Sequence, residues 1–295
     1  MITSIALPAG LAFIMFAMGL TLVVADFRRV VTRPKAVVIG LLCKMALLPA
    51  VALAVVAAFH PSPEFAVGLI ILAACPGGIT ANLLTHLAGG TTALAVTLTA
   101  VTSVTDVVTV PLIVNAALVH FGVASGAVDL PVARMTLGVF AVATLPLLVG
   151  MAINARLPAL AARLEKPARH IATALFAFIV VGAFASQWRV MMDNAADVLP
   201  PALAVNAGVM VLAFLSCRLG SLDRRDRIAV VIETGLQNGA LGIFVAATLL
   251  GSQAMMVPSI VYALVMNVTA IAFIAAVRLR SGQPARANVV ARNHS

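Results

Sequence analysis

The amino-acid sequence predicts an all-α polytopic membrane protein with about nine transmembrane helices. Hydrophobic residues make up 62% of the chain and charged residues only 10%, and the mean hydropathy is +1.12. No ordinary soluble domain has this balance. Most apolar runs reach the ~18 residues that a helix needs to cross a bilayer. The short alternating segments typical of a membrane β-barrel do not occur in the sequence.

Nine apolar segments alternate with polar connections. We predict spans at residues 5–24, 36–59, 65–87, 92–119, 131–153, 170–188, 199–217, 228–250 and 255–277. No basic region precedes the first of them, so we interpret it as a retained span and not as a cleaved signal peptide. The organisation we expect is one transporter domain with two halves and a basic tail. The domain covers residues 1–278, its halves cover about 1–120 and 128–278, and the tail covers 279–295.

Basic residues indicate the orientation. Of the 19 Lys and Arg, 16 fall in every second connection or the C-terminal end, two fall in the alternate connections, and Lys44 lies inside a span. The positive-inside rule then predicts an outside N-terminus and a cytoplasmic C-terminus in a plasma or inner membrane. The net charge of +9 is therefore a signal of membrane topology, and we expect no nucleic-acid partner.

Two spans carry sequences that interrupt a helix. The third contains Cys75-Pro-Gly-Gly-Ile-Thr-Ala-Asn82, and the eighth contains Glu233-Thr-Gly-Leu-Gln-Asn-Gly239. Proline removes a backbone donor and glycine favours non-helical geometry, so backbone groups become free at membrane depth. Interrupted segments at corresponding positions of two halves indicate the binding site of a transporter.

Three ionisable residues lie inside predicted spans. Glu233 and Gln237 are four residues apart, so on a continuous helix they share a face and form an oxygen-rich site suited to a small cation. Lys44 lies nine residues beyond Lys35, roughly 13 Å into the membrane. Asp106 is near the middle of the fourth span. Because buried charges at this depth are costly, we expect these groups to pair and to be functional.

The polar uncharged residues in the spans leave two roles open. Asn82, Asn238 and Asn267 either bind substrate or cap the broken helix ends, whereas Thr99 and Asn82 are candidates for ion or proton coupling. Helix N-termini at a break attract anions, so we expect a small organic anion as substrate. The substrate-binding candidates are Thr80, Asn82, Asn238 and Asn267.

The interrupted motifs also carry a family resemblance. Cys75-Pro-Gly-Gly-Ile-Thr-Ala-Asn-Leu-Leu-Thr85 together with Glu233-Thr-Gly-Leu-Gln-Asn238 resembles the bile acid:sodium symporter family, as does Phe16-Ala-Met-Gly-Leu-Thr21. Asn267 falls where the last span of that family carries an asparagine. The resemblance implies inverted repeats, a core domain with two crossing broken helices, and a panel domain. It also implies sodium-coupled uptake of an organic anion by alternating access.

The resemblance further implies two sodium sites, and this sequence departs from both. The first site maps to Ala81, Asn82, Ala95, Thr99 and Glu233, and the second to Lys44, Glu233, Thr234, Leu236 and Gln237. Alanines replace serine hydroxyls in the first site, and Lys44 replaces a glutamine in the second. We therefore expect a Lys44–Glu233 pair in place of the second sodium. Coupling would then be to protons, through Lys44, Glu233 or Asp106, or absent.

Other functions remain open at this point. One is a symporter that retains a single sodium site, with Glu233 and Gln237 among the ligands. Another is a membrane sensor derived from a transporter, and a third is an exporter of the related arsenite or auxin type. An enzyme is not expected, because the sequence has no HExxH motif, no paired aspartates and no serine–histidine pair within a span. We expect no cofactor other than a possible sodium ion, and contact with membrane lipid. The oligomeric state stays open.

Overall fold

A computed structural model describes residues 2–123 and 132–280, and these residues form helices joined by short connections. The helices run in chain order as α1 (Ile2–Gly19), α2 (Val24–Thr32), α3 (Pro34–Leu42), α4 (Leu48–Phe59), α5 (Pro63–Ala74), α6 (Ile79–Leu87), α7 (Thr92–His120), α8 (Val132–Val139), α9 (Leu145–Arg156), α10 (Pro158–Asp193), α11 (Ala195–Leu219), α12 (Arg224–Gly235), α13 (Gly239–Phe244) and α14 (Gln253–Arg280).

The predicted fold class is confirmed, since the described residues form an all-helical polytopic membrane protein. Six helical segments are long and apolar enough to cross a membrane: Pro34–Phe59, Thr92–His120, Val132–Arg156, Pro158–Asp193, Ala195–Leu219 and Gln253–Leu279. The other three predicted spans correspond to the shorter helix α1 and to the interrupted pairs α5–α6 and α12–α13. The predicted division between the halves falls partly on residues 124–131. That segment and residues 281–295 of the predicted tail lie outside the described residues.

The first connection differs from the prediction because it contains the short amphipathic helix α2. The first span ends at Gly19, earlier than expected, and α2 begins at Val24. The Asp26 carboxylate accepts a hydrogen bond from the Val23 N–H at 2.9 Å and pairs with Arg29. A carboxylate in the first turn satisfies a free backbone donor and favours the helix start.

Two spans contain a widened π-helical turn directly before a proline. Residues Cys43–Leu47 join α3 to α4 ahead of Pro49, and Phe140–Thr144 join α8 to α9 ahead of Pro146. A proline ring clashes with the carbonyl four residues earlier, and a widened turn relieves that clash. The first of these turns carries Lys44 and thereby sets where its side chain enters the protein.

The helices pack in two groups. Helices α1, α9 and α10 pack against one another, whereas α4, α7, α11 and α14 pack around the interrupted pairs α5–α6 and α12–α13. In the first group α1 and α9 approach through glycines: a Cβ at Gly19 would overlap the Leu147 carbonyl, and one at Gly150 would overlap the Phe16 carbonyl. Small residues of this kind let membrane helices approach closely.

This packing predicts that Gly150→Val destabilises the protein. Its side chain would overlap the backbone of α1, and overpacking of a close contact costs about 1–3 kcal/mol. Gly182→Val is the matched control, because it adds the same β-branched side chain inside a helix at a position with open space around it. We expect the melting temperature in detergent to fall clearly more for Gly150→Val than for the control. Equal melting temperatures for the two variants would contradict the described contact.

Candidate coupling and substrate site

Both interrupted spans break where their sequences predict. Helix α5 ends at Ala74 and α6 begins at Ile79, and α12 ends at Gly235 with α13 beginning at Gly239. The residue after each first helix has extended backbone, with φ −73° and ψ 154° at Cys75 and φ −102° and ψ 119° at Leu236. The backbone groups of both breaks are therefore available for contacts other than helix hydrogen bonds.

The two breaks cross and bind each other through their backbones. Gly77 and Gln237 form an isolated antiparallel bridge, and the Asn238 N–H donates to the Pro76 carbonyl at 2.8 Å. A Cβ at Gly77 would overlap the Glu233 carboxylate. Glycine is needed at this position because it lets the backbone of one break lie directly against the carboxylate of the other.

Lys44 reaches the crossing from the widened turn between α3 and α4, and its side chain is buried. The ammonium donates to the Glu233 carbonyl at 2.9 Å, to the Leu236 carbonyl at 3.2 Å, and to Gln237 Oε1 at 2.6 Å. An ammonium has three donors, so each of them has an acceptor. All three acceptors belong to the residues that the resemblance assigns to the second sodium site.

The structure contradicts the expected ion pair between the Lys44 ammonium and the Glu233 carboxylate. Lys44 binds the backbone carbonyl of Glu233, and no carboxylate oxygen of that residue lies within 4.0 Å of the ammonium. The reason is that α12 ends at Gly235. Because the helix ends here, the carbonyls of Glu233 and Leu236 have no helix hydrogen bond. Both carbonyls accept hydrogen bonds from the ammonium instead.

The structure does not place Glu233 and Gln237 on one face of a continuous helix. Their spacing places them on one face only if the helix continues, and Gln237 lies in the break. Gln237 Oε1 binds Lys44, and its Nε2 donates to the Thr234 carbonyl at 2.6 Å. The second sodium site therefore does not fit a metal ion, because the ammonium uses its oxygens.

The residues of the first implied sodium site fit a cation in part. Glu233 Oε1 accepts from Thr99 at 2.8 Å, whereas Glu233 Oε2 and Asn82 Oδ1 are buried oxygens without a hydrogen-bond partner. Buried oxygens of this kind normally have a partner, and a cation would supply one. Ala81 and Ala95 are fully buried and add only methyl groups.

Asp106 faces a small cavity that Lys44 also lines. The cavity has a volume of about 30 Å³, and Cys75 and Thr102 contribute to its wall. Thr109 donates to Asp106 Oδ1 at 3.2 Å, whereas Oδ2 is buried without a partner. A cavity of this volume has room for about one water molecule, for which Lys44, Thr102 and Asp106 supply polar groups in the wall. The structure therefore brings Lys44 and Asp106 to the same space without a direct bond between them.

Of the candidates for substrate binding, Asn238 and Asn267 have local partners. The Asn238 side chain caps α13 by accepting from the Leu241 N–H at 3.1 Å, and Asn267 donates to the Ala263 carbonyl of its own helix at 2.6 Å. Thr80 and Asn82 lie half-buried in the first turn of α6. Of the two roles left open for Asn238, capping is therefore the one with a described contact.

A buried polar network behind the crossing was missed by the sequence reasoning. Asn206 Nδ2 donates to the Gly235 carbonyl at 2.8 Å, the Tyr262 hydroxyl donates to the same carbonyl at 3.1 Å, and Thr269 donates to Asn206 Oδ1 at 2.5 Å. These contacts satisfy the end of α12 from the side opposite Lys44. The signal was a lone asparagine inside the apolar seventh span.

Comparisons with known proteins place the chain among membrane transporters. The family model of the Sodium Bile acid symporter family matches residues 8–194. A protein of Bacillus subtilis described as an uncharacterized sodium-dependent transporter is 30% identical over 80% of this chain and 72% of its own length. The human ileal sodium/bile acid cotransporter is 26% identical over 81% of this chain and 68% of its own length.

A plant relative is similar over less of its own length. A probable sodium/metabolite cotransporter of rice chloroplasts is 27% identical over 85% of this chain, and the matched region spans 59% of that protein. The similarity thus covers most of this chain and about three-fifths of the rice protein.

The fold, the crossing and these relatives define an integral membrane transporter and not an enzyme. The chain belongs to the Sodium Bile acid symporter family, as the resemblance predicted.

Proposed function

We propose that this protein is a secondary transporter of small organic anions in which Lys44 is a built-in cation at the position of the second sodium ion. The observation that carries the proposal is the binding of the buried ammonium by the Glu233 and Leu236 carbonyls and Gln237 Oε1. The two halves, about residues 1–120 and 128–278, act as inverted repeats around the crossing. Alternating access then exposes the crossing to either side of a plasma or inner membrane whose cytoplasmic face carries the C-terminus.

A sodium ion cannot share this position with Lys44. Two unit charges ~4 Å apart repel by roughly 4 kcal/mol at an intermediate dielectric constant. The three oxygens that would coordinate the ion are already engaged by ammonium donors. In this proposal the Lys44 ammonium supplies the positive charge of the second site, and transport does not need a sodium ion there.

A small organic anion fits the crossing for two reasons. Helix α6 begins at the break, so its first turn has free backbone N–H groups at its positive end, and this turn carries Thr80 and Asn82. The fixed positive charge of Lys44 adds to this field. Asn238 and Asn267 are further contacts for a carboxylate or hydroxyl once the crossing opens. Relatives are described as cotransporters of metabolites or bile acid, which is the same broad class.

Asp106 is the group that we propose as the carrier of a coupling proton. The ionisable groups around the cavity between α7 and the widened turn are Lys44, Cys75 and Asp106, with Glu233 behind Lys44. All donors of Lys44 are engaged, and Cys75 donates to the Ile71 carbonyl at 3.2 Å. Among the ionisable side chains that line the cavity, Asp106 has an oxygen without a hydrogen-bond partner in the described residues, so we propose it as the acceptor for a proton delivered by water.

A second candidate is a symporter that keeps one sodium ion at the first site. The supporting observation is the pair of buried, unpartnered oxygens, Glu233 Oε2 and Asn82 Oδ1. Asn82, Thr99 and Glu233 would hold the ion, which would supply a positive charge that ties α6 and α7 to α12. This candidate is compatible with Lys44 at the second site and differs from the first in the coupling ion.

The replacement predicts that Lys44→Gln gains a sodium site. Removing the ammonium frees the carbonyls of Glu233 and Leu236, and the glutamine adds an amide oxygen like that of the family pattern. We expect bound ²²Na⁺ to rise by one ion per chain. Sodium should then stabilise the variant by about 2.7 kcal/mol at a hundredfold excess over its Kd. Lys35→Gln, which removes an exposed lysine from α3, is the control and should match the wild-type protein. Two bound sodium ions in the wild-type protein would refute the replacement.

The role of Asp106 predicts a loss of proton coupling in Asp106→Asn. The assay uses proteoliposomes and a transported anion chosen from a panel of short carboxylic acids and a bile acid. A pH difference of one unit across the membrane drives about tenfold accumulation of the anion per coupled proton. We expect the variant to lose this accumulation and to keep substrate counterflow, since the crossing is intact. Thr105→Val removes a hydroxyl bonded to its own helix one turn away, and it should keep both activities. Unchanged accumulation in Asp106→Asn would exclude Asp106 as the carrier.

A further inference from the structure

An apolar groove between α11, α12 and α14 has two arginines at one end. Its volume is about 380 Å³, and Arg224 and Arg227 are the charged residues of its wall. The apolar wall consists of Met210, Val211, Phe214, Ile228, Val231, Phe273, Ala276 and Val277. A volume of this size lies in the ~300–1,000 Å³ range of sites that bind small molecules.

The groove opens onto a surface that the membrane covers. Val211, which lines the groove on α11, is 58% exposed, and Ala276 on its α14 wall is exposed too. Large apolar side chains at this exposure on apolar helices face lipid tails. The natural neighbour of the groove is therefore a lipid acyl chain and not water.

The two arginines hold positive charge without a carboxylate partner. The Arg224 guanidinium donates to the Val277 carbonyl at 2.9 Å, and that of Arg227 lies over the Phe214 ring at 5.8 Å from its centre. Asp223 and Asp226 are close in sequence. However, Asp223 accepts from the Asp226 N–H, and the Asp226 carboxylate lies 3.9 Å from Arg33. Neither arginine forms an ion pair within 4.0 Å in the described residues.

We propose that this groove binds one anionic phospholipid, with its phosphate at Arg224 and Arg227 and an acyl chain along Phe214, Val231 and Phe273. Guanidinium groups bind phosphate in a bidentate manner, and basic pockets between membrane helices bind anionic head groups. The positive charges of Arg224 and Arg227 complement the negative charge of the phosphate, which favours an anionic lipid as the occupant. The tail of residues 281–295 contains Arg286 and Arg292 and no acidic residue, so it does not complement the groove.

A lipid bound in the groove would affect the crossing, whichever ion couples transport. Ile228 and Val231 line the groove on α12, and Glu233 lies on the same helix two residues beyond Val231. A bound lipid would therefore hold α12 against α11 and α14, close to the helix end that binds Lys44.

The test is native mass spectrometry of the full chain in mild detergent, titrated with phosphatidylglycerol and with phosphatidylcholine of the same acyl chains. We expect one phosphatidylglycerol to bind with about tenfold preference, given the attraction of anionic lipid to two bases. The double variant Arg224→Gln/Arg227→Gln should lose the preference, and Arg224→Lys/Arg227→Lys should keep most of it. The control Arg156→Gln/Arg163→Gln removes two exposed arginines at another connection and should behave like the wild-type protein.

A second measurement locates the lipid. The chain has a single tryptophan, Trp188, so a Phe214→Trp variant in a Trp188→Phe background reports on the groove alone. Brominated phosphatidylglycerol should quench this tryptophan more than brominated phosphatidylcholine does. Equal binding and equal quenching by the two lipids would overturn the proposal. So would a lipid preference that persists in the double glutamine variant, or a groove filled by a second copy of the chain.

Discussion

The binding of the Lys44 ammonium at the crossing is the interaction on which the rest of the site depends. A buried charge is tolerated only when it is fully hydrogen-bonded, and here three oxygens from one break accept its three donors. Two of these oxygens are free only because α12 ends at Gly235. The broken helix and the lysine therefore explain each other: the break supplies acceptors, and the ammonium satisfies them.

The charge balance around the crossing follows from this arrangement. Lys44 contributes one positive charge, and Glu233 and Asp106 are the carboxylates within its electrostatic range. The Glu233 carboxylate is directed away from the ammonium to Thr99 and the backbone of Gly77, and Asp106 faces the cavity. Each carboxylate thus keeps one oxygen without a partner. A cation or proton that binds to one of these two oxygens can change the free energy of one conformational state of the transporter relative to the other.

Much of the fold was predictable from the sequence, because membrane insertion imposes strong and local requirements. The length of the apolar segments predicted the spans, and the proline and glycines of Cys75–Gly78 predicted the first break to within a residue or two. Two features were not predictable in this way. The helix α2 has only nine residues, too few to cross a membrane, and the widened turns depend on how a helix accommodates Pro49 and Pro146 without ending.

The site residues were predictable as a set, whereas their contacts were not. Glu233, Gln237, Lys44 and Asp106 were identified because polar groups are costly at membrane depth. Which oxygen binds the ammonium depends on the residue at which α12 ends, and the spacing of Glu233 and Gln237 gives no information on that. Asn206 was missed for a related reason, since its partner is the Gly235 carbonyl, which exists as a free acceptor only in the folded break.

The occupant of the second site can be seen in a crystal structure of the protein grown in thallous ion, whose anomalous signal marks monovalent cation sites. We expect electron density for the Lys44 ammonium on the Glu233 and Leu236 carbonyls, with no anomalous peak within ~4 Å of it. An anomalous peak among those carbonyls and Gln237, with Lys44 turned away, would show that a monovalent cation and not Lys44 occupies the site.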